Sequence, residues 1–382
     1  MQSTTVVLDN IILQDAQSNY RRFFMVFSLF IAIPVSLLFL SMVFLWRSHE
    51  LASYEAIVTY QKNNNAIYGP GTIVDYFEYK LKMVEQTKPE TIAIGSSRAL
   101  GFQEAYFDTS FVNAGVAMRS LKEGKEFLIE VLKIHKPKRI IFTLDFWWFN
   151  KATPSPEVIY KKLEKTKIST DKLLLPYKLI SEGKMSIRQF ITFTVFGYRK
   201  NQITNYNNTG VMGLIYSNGN RPDGSMLYAE FALAGRTDLD PRFSHASKLI
   251  KDNYGNYEHA EHVTKERLQE LTELLKICDD NNIKTYIVIP PVSPMVYKEL
   301  AKPIYKYNFI SELQSFVQKL PMPVFDFHDA TKIPADDCEF IDGYHSGDIT
   351  YLKMLANMVE TPQAADLASI TNLAKIKQTV SK

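Results

Sequence analysis

The longest uninterrupted apolar pattern runs from Phe23 to Trp46, with no charged residue between Arg22 and Arg47. About two dozen such residues make a helix long enough to cross a hydrocarbon core. Pro34 falls inside this run, and membrane helices tolerate proline through local adjustment. The run is too long for the apolar core of a cleaved leader and ends at Leu45-Trp46-Arg47-Ser48, so it reads as an uncleaved signal anchor over residues 23–46. Arg21 and Arg22 precede it, whereas Arg47 and the distant Lys62 follow it, which favours a cytoplasmic tail over residues 1–22. Everything beyond the span then lies outside the cytoplasm, which in a bacterium means the periplasmic or outer side of the inner membrane.

Residues 47–90 predict a helical lead-in, with a stripe through Ile73, Tyr76, Phe77, Tyr79, Leu81 and Met83 that stops at Lys88-Pro89-Glu90. The pattern then changes to short apolar runs separated by amphipathic ones. Thr91 to Ile94 is a strand ending in Gly95-Ser96-Ser97, and a helix starts near Arg98. Phe111 to Gly115 is a second strand, residues 120–135 have helical periodicity, and Arg139 to Asp145 is a third strand of the kind buried on both faces. Strand, helix, strand, helix, strand is the start of a doubly wound α/β fold with a parallel sheet.

Between the third and fourth strands, residues 150–245 interrupt this rhythm. They hold helical pieces at 160–165 and 186–196 and a Gly, Asn and Tyr-rich run at 216–225, and they read as an insertion or cap over the carboxyl edge of the sheet. The rhythm resumes with a long helix over 247–280, a strand at 284–290, a helix over 294–320, a strand at 324–327 and a closing helix at 350–358. The α/β domain therefore extends over residues 91–362. Residues 363–382 form a polar tail with no assigned role.

Composition narrows the function. The 382 residues are 46% hydrophobic, enough to bury one sizeable core, and the net charge of +3 is spread along the chain, so no footprint for nucleic acid is present. Cys278 and Cys338 have no partner spacing for a zinc site and read as two separate, mostly buried thiols, with a disulfide between them the alternative for a domain outside the cytoplasm.

The candidate chemistry lies at strand ends. Gly95 allows a sharp bend after the first strand, which would expose a serine at the carboxyl edge where open α/β sheets place their reactive groups. Asp342 and His345 stand three apart after the last strand. That spacing lets the carboxylate accept from one imidazole nitrogen and leaves the other free to take a proton from a serine. Asn113-Ala114-Gly115 ends the second strand, and Asp145 ends the third.

This order and spacing resemble the SGNH (GDSL-like) hydrolase superfamily over roughly residues 90–360. The resemblance implies a three-layer α/β/α fold in which Ser97 is the nucleophile, His345 the base and Asp342 its orienting acid. It also implies that the amides of Ser97 and Gly115 form the oxyanion hole. Two positions depart from the family pattern: Ser96 replaces the aspartate of Gly-Asp-Ser, and Leu144-Asp145-Phe146-Trp147-Trp148-Phe149-Asn150 replaces a Gly-x-Asn-Asp loop. An ionised Asp145 cannot donate to an oxyanion, so Asn150 takes that role only if the loop folds back; Asp145 is expected to pair with Arg98 instead, and both of these are also substrate-binding candidates.

Trp147 and Trp148 suit either stacking on sugar rings or lining an acyl pocket, and equally suit packing against the insertion or resting on the membrane surface. Arg221 is a substrate-binding candidate or part of a solvated turn. Anchored members of the superfamily imply a serine esterase or O-acyltransferase acting on cell-envelope polysaccharide, requiring no metal or organic cofactor. The alternative is a non-catalytic assembly protein of the same fold, partnering a membrane-bound acyltransferase or an export system. A lipid-acting esterase is a further one.

Overall fold

The computed structural model describes residues 2–153, 166, 168–201, 204–229, 243–302, 304–372 and 376. The chain opens with α1 (Gln2–Arg47), α2 (Tyr54–Asn64), β1 (Ala66–Tyr68) and α3 (Tyr76–Thr87), followed by β2 (Thr91–Gly95), β3 (Phe111–Gly115), α4 (Leu121–Ile134) and β4 (Arg139–Thr143). The middle segment contains α5 (Thr170–Ser181), α6 (Ile187–Phe196), β5 (Arg199–Lys200), β6 (Asn207–Thr209), α7 (Val211–Tyr216), β7 (Gly219–Asn220) and β8 (Met226–Leu227). The remaining elements are α8 (Ser244–Asp252), α9 (Lys265–Asp280), β9 (Lys284–Ile289), α10 (Pro294–Ala301), α11 (Asn308–Val317), β10 (Val324–Asp326), α12 (Asp348–Val359) and α13 (Ala365–Ala368). The chain is a mixed α/β protein divided into two compact units.

The first unit comprises residues 1–51 and 166–198. Its α1 contains one stretch, Ser18–Arg47, long and apolar enough to cross a membrane. The helix continues back to Gln2, so the polar residues before the apolar run are helical as well. Helices α5 and α6 pack on α1. Residues 166–198 had been expected in a cap over the sheet; they belong instead with the apolar helix. The physical reason is that α6 is apolar on two faces and buries one of them, Phe190 and Phe193, beside Phe44.

The second unit comprises residues 52–165 and 199–382 and carries two sheets. The larger has the order β10-β9-β4-β2-β3, with every neighbouring pair parallel. Strands β2, β3 and β4 are buried along their length, as strands covered on both faces must be, whereas the edge strand β10 is only partly covered. The register pairs Gly95 with Gly115 and Thr143 with Val288, so the carboxyl ends of these strands line one edge. Gly95 is dictated by this close pairing: a Cβ there would lie 1.8 Å from Thr143 Oγ1.

The smaller sheet, β5-β6-β1-β7-β8, is built from the lead-in and the latter part of the interruption. Strand β1 was not anticipated within the helical lead-in, because three residues are too few to register a period of two. Residues 160–165 lie outside the described residues. Two long helical patterns are each broken: α8 and α9 are separated by Asn253–Thr264, where Asn253 is left-handed and Gly255 follows, and α10 ends before α11 begins. The supposed polar tail is also partly structured. Asp366 forms a bidentate pair with Arg139, at 2.7 and 2.9 Å, and Asn372 N–H donates to the Tyr106 carbonyl. Cys338 is exposed rather than buried, while Cys278 sits in the core and burial pushes its thiol up to about 11.

Candidate active site

The bend after β2 is made by short-range bonds. Ser96 is extended, its hydroxyl accepts from the Arg98 N–H at 3.0 Å, and Ser97–Ala99 form a single 3₁₀ turn. This lifts Ser97 out of the strand at the carboxyl edge. The neighbouring strand is tied to the same bend by Val116, whose N–H donates to the carbonyls of Gly95 at 2.9 Å and Ser96 at 3.1 Å. Val116 has φ +68°, a costly conformation for a β-branched residue, held here by those two bonds.

Across the edge, residues 340–346 form a tight loop closed by the Ile341 N–H to His345 carbonyl bond at 2.8 Å. Gly343, at φ +93°, makes the reversal possible, and a Cβ there would lie 2.7 Å from Val296. Asp342 Oδ1 accepts the Tyr344 and His345 amides at 3.2 and 2.9 Å, leaving Oδ2 to accept from His345 Nδ1 at 2.6 Å. With Nδ1 donating, Nε2 is the acceptor, and the Ser97 hydroxyl lies 2.7 Å from it. Ser97, His345 and Asp342 therefore form one linear relay.

Electrostatics favour a charged Asp342. Burial alone would raise its carboxyl, but the hydrogen bonds from His345 and Tyr344 and the His345 charge outweigh that and hold it below its ordinary value. An ionised carboxylate at Nδ1 fixes the imidazole tautomer and stabilises an imidazolium when it forms. The Tyr344 ring lies over the imidazole with centroids 4.3 Å apart.

The expected pairing of Arg98 with Asp145 is present, at 3.2 Å, with both side chains fully buried. Arg98 also donates to the Pro290 and Pro291 carbonyls at 2.6 and 2.9 Å, and its guanidinium lies 5.2 Å from the centre of the Trp147 ring. Its own carbonyl accepts from Tyr351 at 2.6 Å. One side chain thus links the ends of β2, β4 and β9 immediately beside Ser97. Burial pushes the Asp145 carboxyl up, opposed by the Arg98 charge.

Several other candidates occupy different roles from those expected. The Gly115 N–H donates at 2.8 Å to Asn113 Oδ1, whose amide nitrogen in turn holds the Ala99 and Phe102 carbonyls. The Gly115 N–H is therefore engaged by a side chain at the end of its own strand. Asn150 does not fold back: its amide donates to the Glu258 carbonyl at 2.5 Å and its oxygen accepts from the Ala152 N–H. Trp147 and Trp148 are buried core residues rather than an open stacking face. Arg221 is buried too, paired with Asp348 at 2.9 Å and bonded to the Met226 carbonyl. Asn150 and Arg221 thus find their polar partners within the fold, as buried polar groups generally do.

Three residues that matter to the site's architecture were not singled out from sequence. Asn113 locks the bend; its position beside Gly115 was noted, but nothing local marks its side chain as inward. Tyr351 and His328 lie on a late helix and loop with no motif around them. His328 packs edge-on to Phe146 and Tyr297, and burial, with the Arg98 charge adding to it, brings it down to about 4. No protein-family model matches the chain, and no curated protein matches it significantly.

Proposed function

We propose that this protein is a membrane-anchored serine esterase or O-acyltransferase of SGNH type, working on acyl esters of cell-envelope polysaccharide from the extracytoplasmic side. The observation that carries the reading is the relay itself: Ser97 Oγ 2.7 Å from His345 Nε2, and His345 Nδ1 2.6 Å from an ionised Asp342. In the proposed reaction Ser97 Oγ attacks the ester carbonyl carbon while its proton passes to His345 Nε2. The imidazolium returns that proton to the departing alcohol oxygen, leaving an acyl-serine. A second hydroxyl, from water or from a sugar, then attacks the acyl carbon as His345 takes its proton, and the acyl–Oγ bond breaks as the imidazolium returns that proton to Ser97 Oγ. Hydrolysis and transfer differ only in that second hydroxyl. The apolar helix α1 supports the envelope setting, and the spread of Lys and Arg supports a partner other than nucleic acid.

The Ser97 amide is one main-chain donor for the oxyanion, and Gly115 joins it when its N–H leaves Asn113. That engaged Gly115 amide is the specific observation favouring the second reading, a non-catalytic assembly protein that retains the relay and partners a membrane-bound acyltransferase. A fluorophosphonate probe separates the two. Covalent labelling of the full chain in detergent, abolished by Ser97→Ala in a folded variant, is the expected outcome. Absence of labelling in folded wild type, or labelling that survives Ser97→Ala, rejects the enzyme.

A further inference from the structure

Within the first unit, α6 is apolar on both sides. Phe190 and Phe193 face inward, with Phe190 packed at 5.3 Å against Phe44 of α1 and at 5.8 Å against Tyr177 of α5. On the opposite side Ile187, Ile191 and Val195 recur every four residues and are 64%, 57% and 56% exposed, with Phe196 beside them at 54%. Arg188 and Thr192 are exposed alongside this stripe, so α6 presents an apolar face with a polar margin, the pattern of a helix lying in a membrane interface. The level of this stripe along α1 is set by hydrogen bonds. Arg47 Nη2, at the end of the apolar run, donates to the Val195 and Phe196 carbonyls at 2.6 and 3.2 Å, and Gly197 closes so tightly that a Cβ would lie 2.4 Å from the Arg47 carbonyl. Ser41 and Tyr177 link α5 to α1 through the Leu173 and Leu37 carbonyls. The stripe therefore runs beside the last turns of α1, which themselves expose Leu38, Phe39, Met42 and Trp46.

We propose that α6 is a lipid-facing helix that seats Ile187, Ile191, Val195 and Phe196 in the boundary between acyl chains and headgroups of the bilayer that α1 crosses. The proposal rests on the reading of α1 as a membrane span and adds a second lipid contact to it. The chemistry fits an interfacial seat rather than a second span. A ten-residue helix is about 15 Å long, half the hydrocarbon thickness. The connecting turn keeps its charges paired, Glu182 with Lys184 at 2.8 Å and with Lys178 at 3.9 Å, and lysine stems reach from apolar surface to phosphates. A water-facing role for four large apolar side chains beside a membrane helix has no such fit.

The test uses the full chain in phosphatidylcholine–phosphatidylglycerol vesicles, in a Cys338→Ser background whose remaining thiol, Cys278, is buried. Nitroxides are placed one at a time through Ile191→Cys and Val195→Cys, with Phe30→Cys as the control within α1 and Ile129→Cys as the control on the second unit. The expected result is that collisions with oxygen exceed those with a nickel chelate at 191 and 195, as at 30 and opposite to 129. Excess nickel collisions at 191 and 195 with lipid values at 30 overturn the proposal while leaving the span intact. Protection from both agents at 191 and 195 overturns it in favour of a protein cover, and water values at 30 overturn the span and the proposal together.

Discussion

At the scale of single residues, Arg98 does the most structural work around the candidate nucleophile. Both charges of its pair with Asp145 are fully desolvated, so removing one leaves the other stranded. Arg98→Ala is expected to lower unfolding stability by about 3–5 kcal/mol in denaturant titration, whereas replacing both with apolar residues recovers much of the loss. His328 supplies a pH signature. Its folded pKa of about 4 lies below the ordinary 6.5, so the unfolded chain binds the extra proton between those values, and stability falls as pH drops from about 6.5 toward 4. Thermal melts of His328→Phe should lack that part of the acid slope. An unchanged slope would mean that His328 does not set it. Asp342, held low, adds a loss of the same sign at more acid pH: its share persists above the unfolded carboxylate pKa and disappears as pH falls through the lowered folded value.

At the scale of elements, the site depends on how closely β2 and β4 approach. Gly95→Ala would drive a methyl into Thr143 Oγ1, and overpacking of this kind costs about 1–3 kcal/mol. The variant should melt earlier, and adding Thr143→Ala should recover part of the difference; no recovery would place the strain elsewhere. Element identity was largely legible beforehand. The five strands of the larger sheet and the helices at 121–134 and 348–359 follow the apolar runs and their turn residues. The breaks at Asn253–Thr264 and between α10 and α11 were not legible, because apolar periodicity continues across them while the chain turns. Strand β1 was hidden for the converse reason: its partners β6 and β7 lie well over a hundred residues away.

At the scale of the whole molecule, the two thiols report sidedness. Cys338 is exposed and Cys278 buried. If the second unit lies outside the cytoplasm, a membrane-impermeant maleimide should label Cys338 in intact cells, and Cys338→Ser should abolish the signal. Labelling that appears only after lysis would reverse the assigned orientation. The interrupting segment illustrates what composition could not resolve. Residues 170–196 and 199–227 looked like one insertion, yet the first part joins the apolar helix and the second completes the smaller sheet. The first part is the more apolar and the second is rich in Asn and Gly, yet that difference does not say which element each one packs against.

By itself the sequence determined what depends on neighbours along the chain: the apolar run of α1, the strand and helix rhythm, the bend at Gly95-Ser96-Ser97, and the Asp342 to His345 spacing. The spacing also pointed to Asp342 and His345, while the choice of Ser97 over Ser96 came from the resemblance to the SGNH pattern. Only the tertiary structure decided whether these groups meet, because Ser97 and His345 are 248 positions apart and their 2.7 Å contact depends on every strand between them. It likewise decided that Gly115 is held by Asn113, that Asn150 turns to Glu258, and that Arg221, Trp147 and Trp148 are buried. A polar side chain will take whichever partner the fold desolvates it beside, and that partner is a property of packing rather than of local sequence.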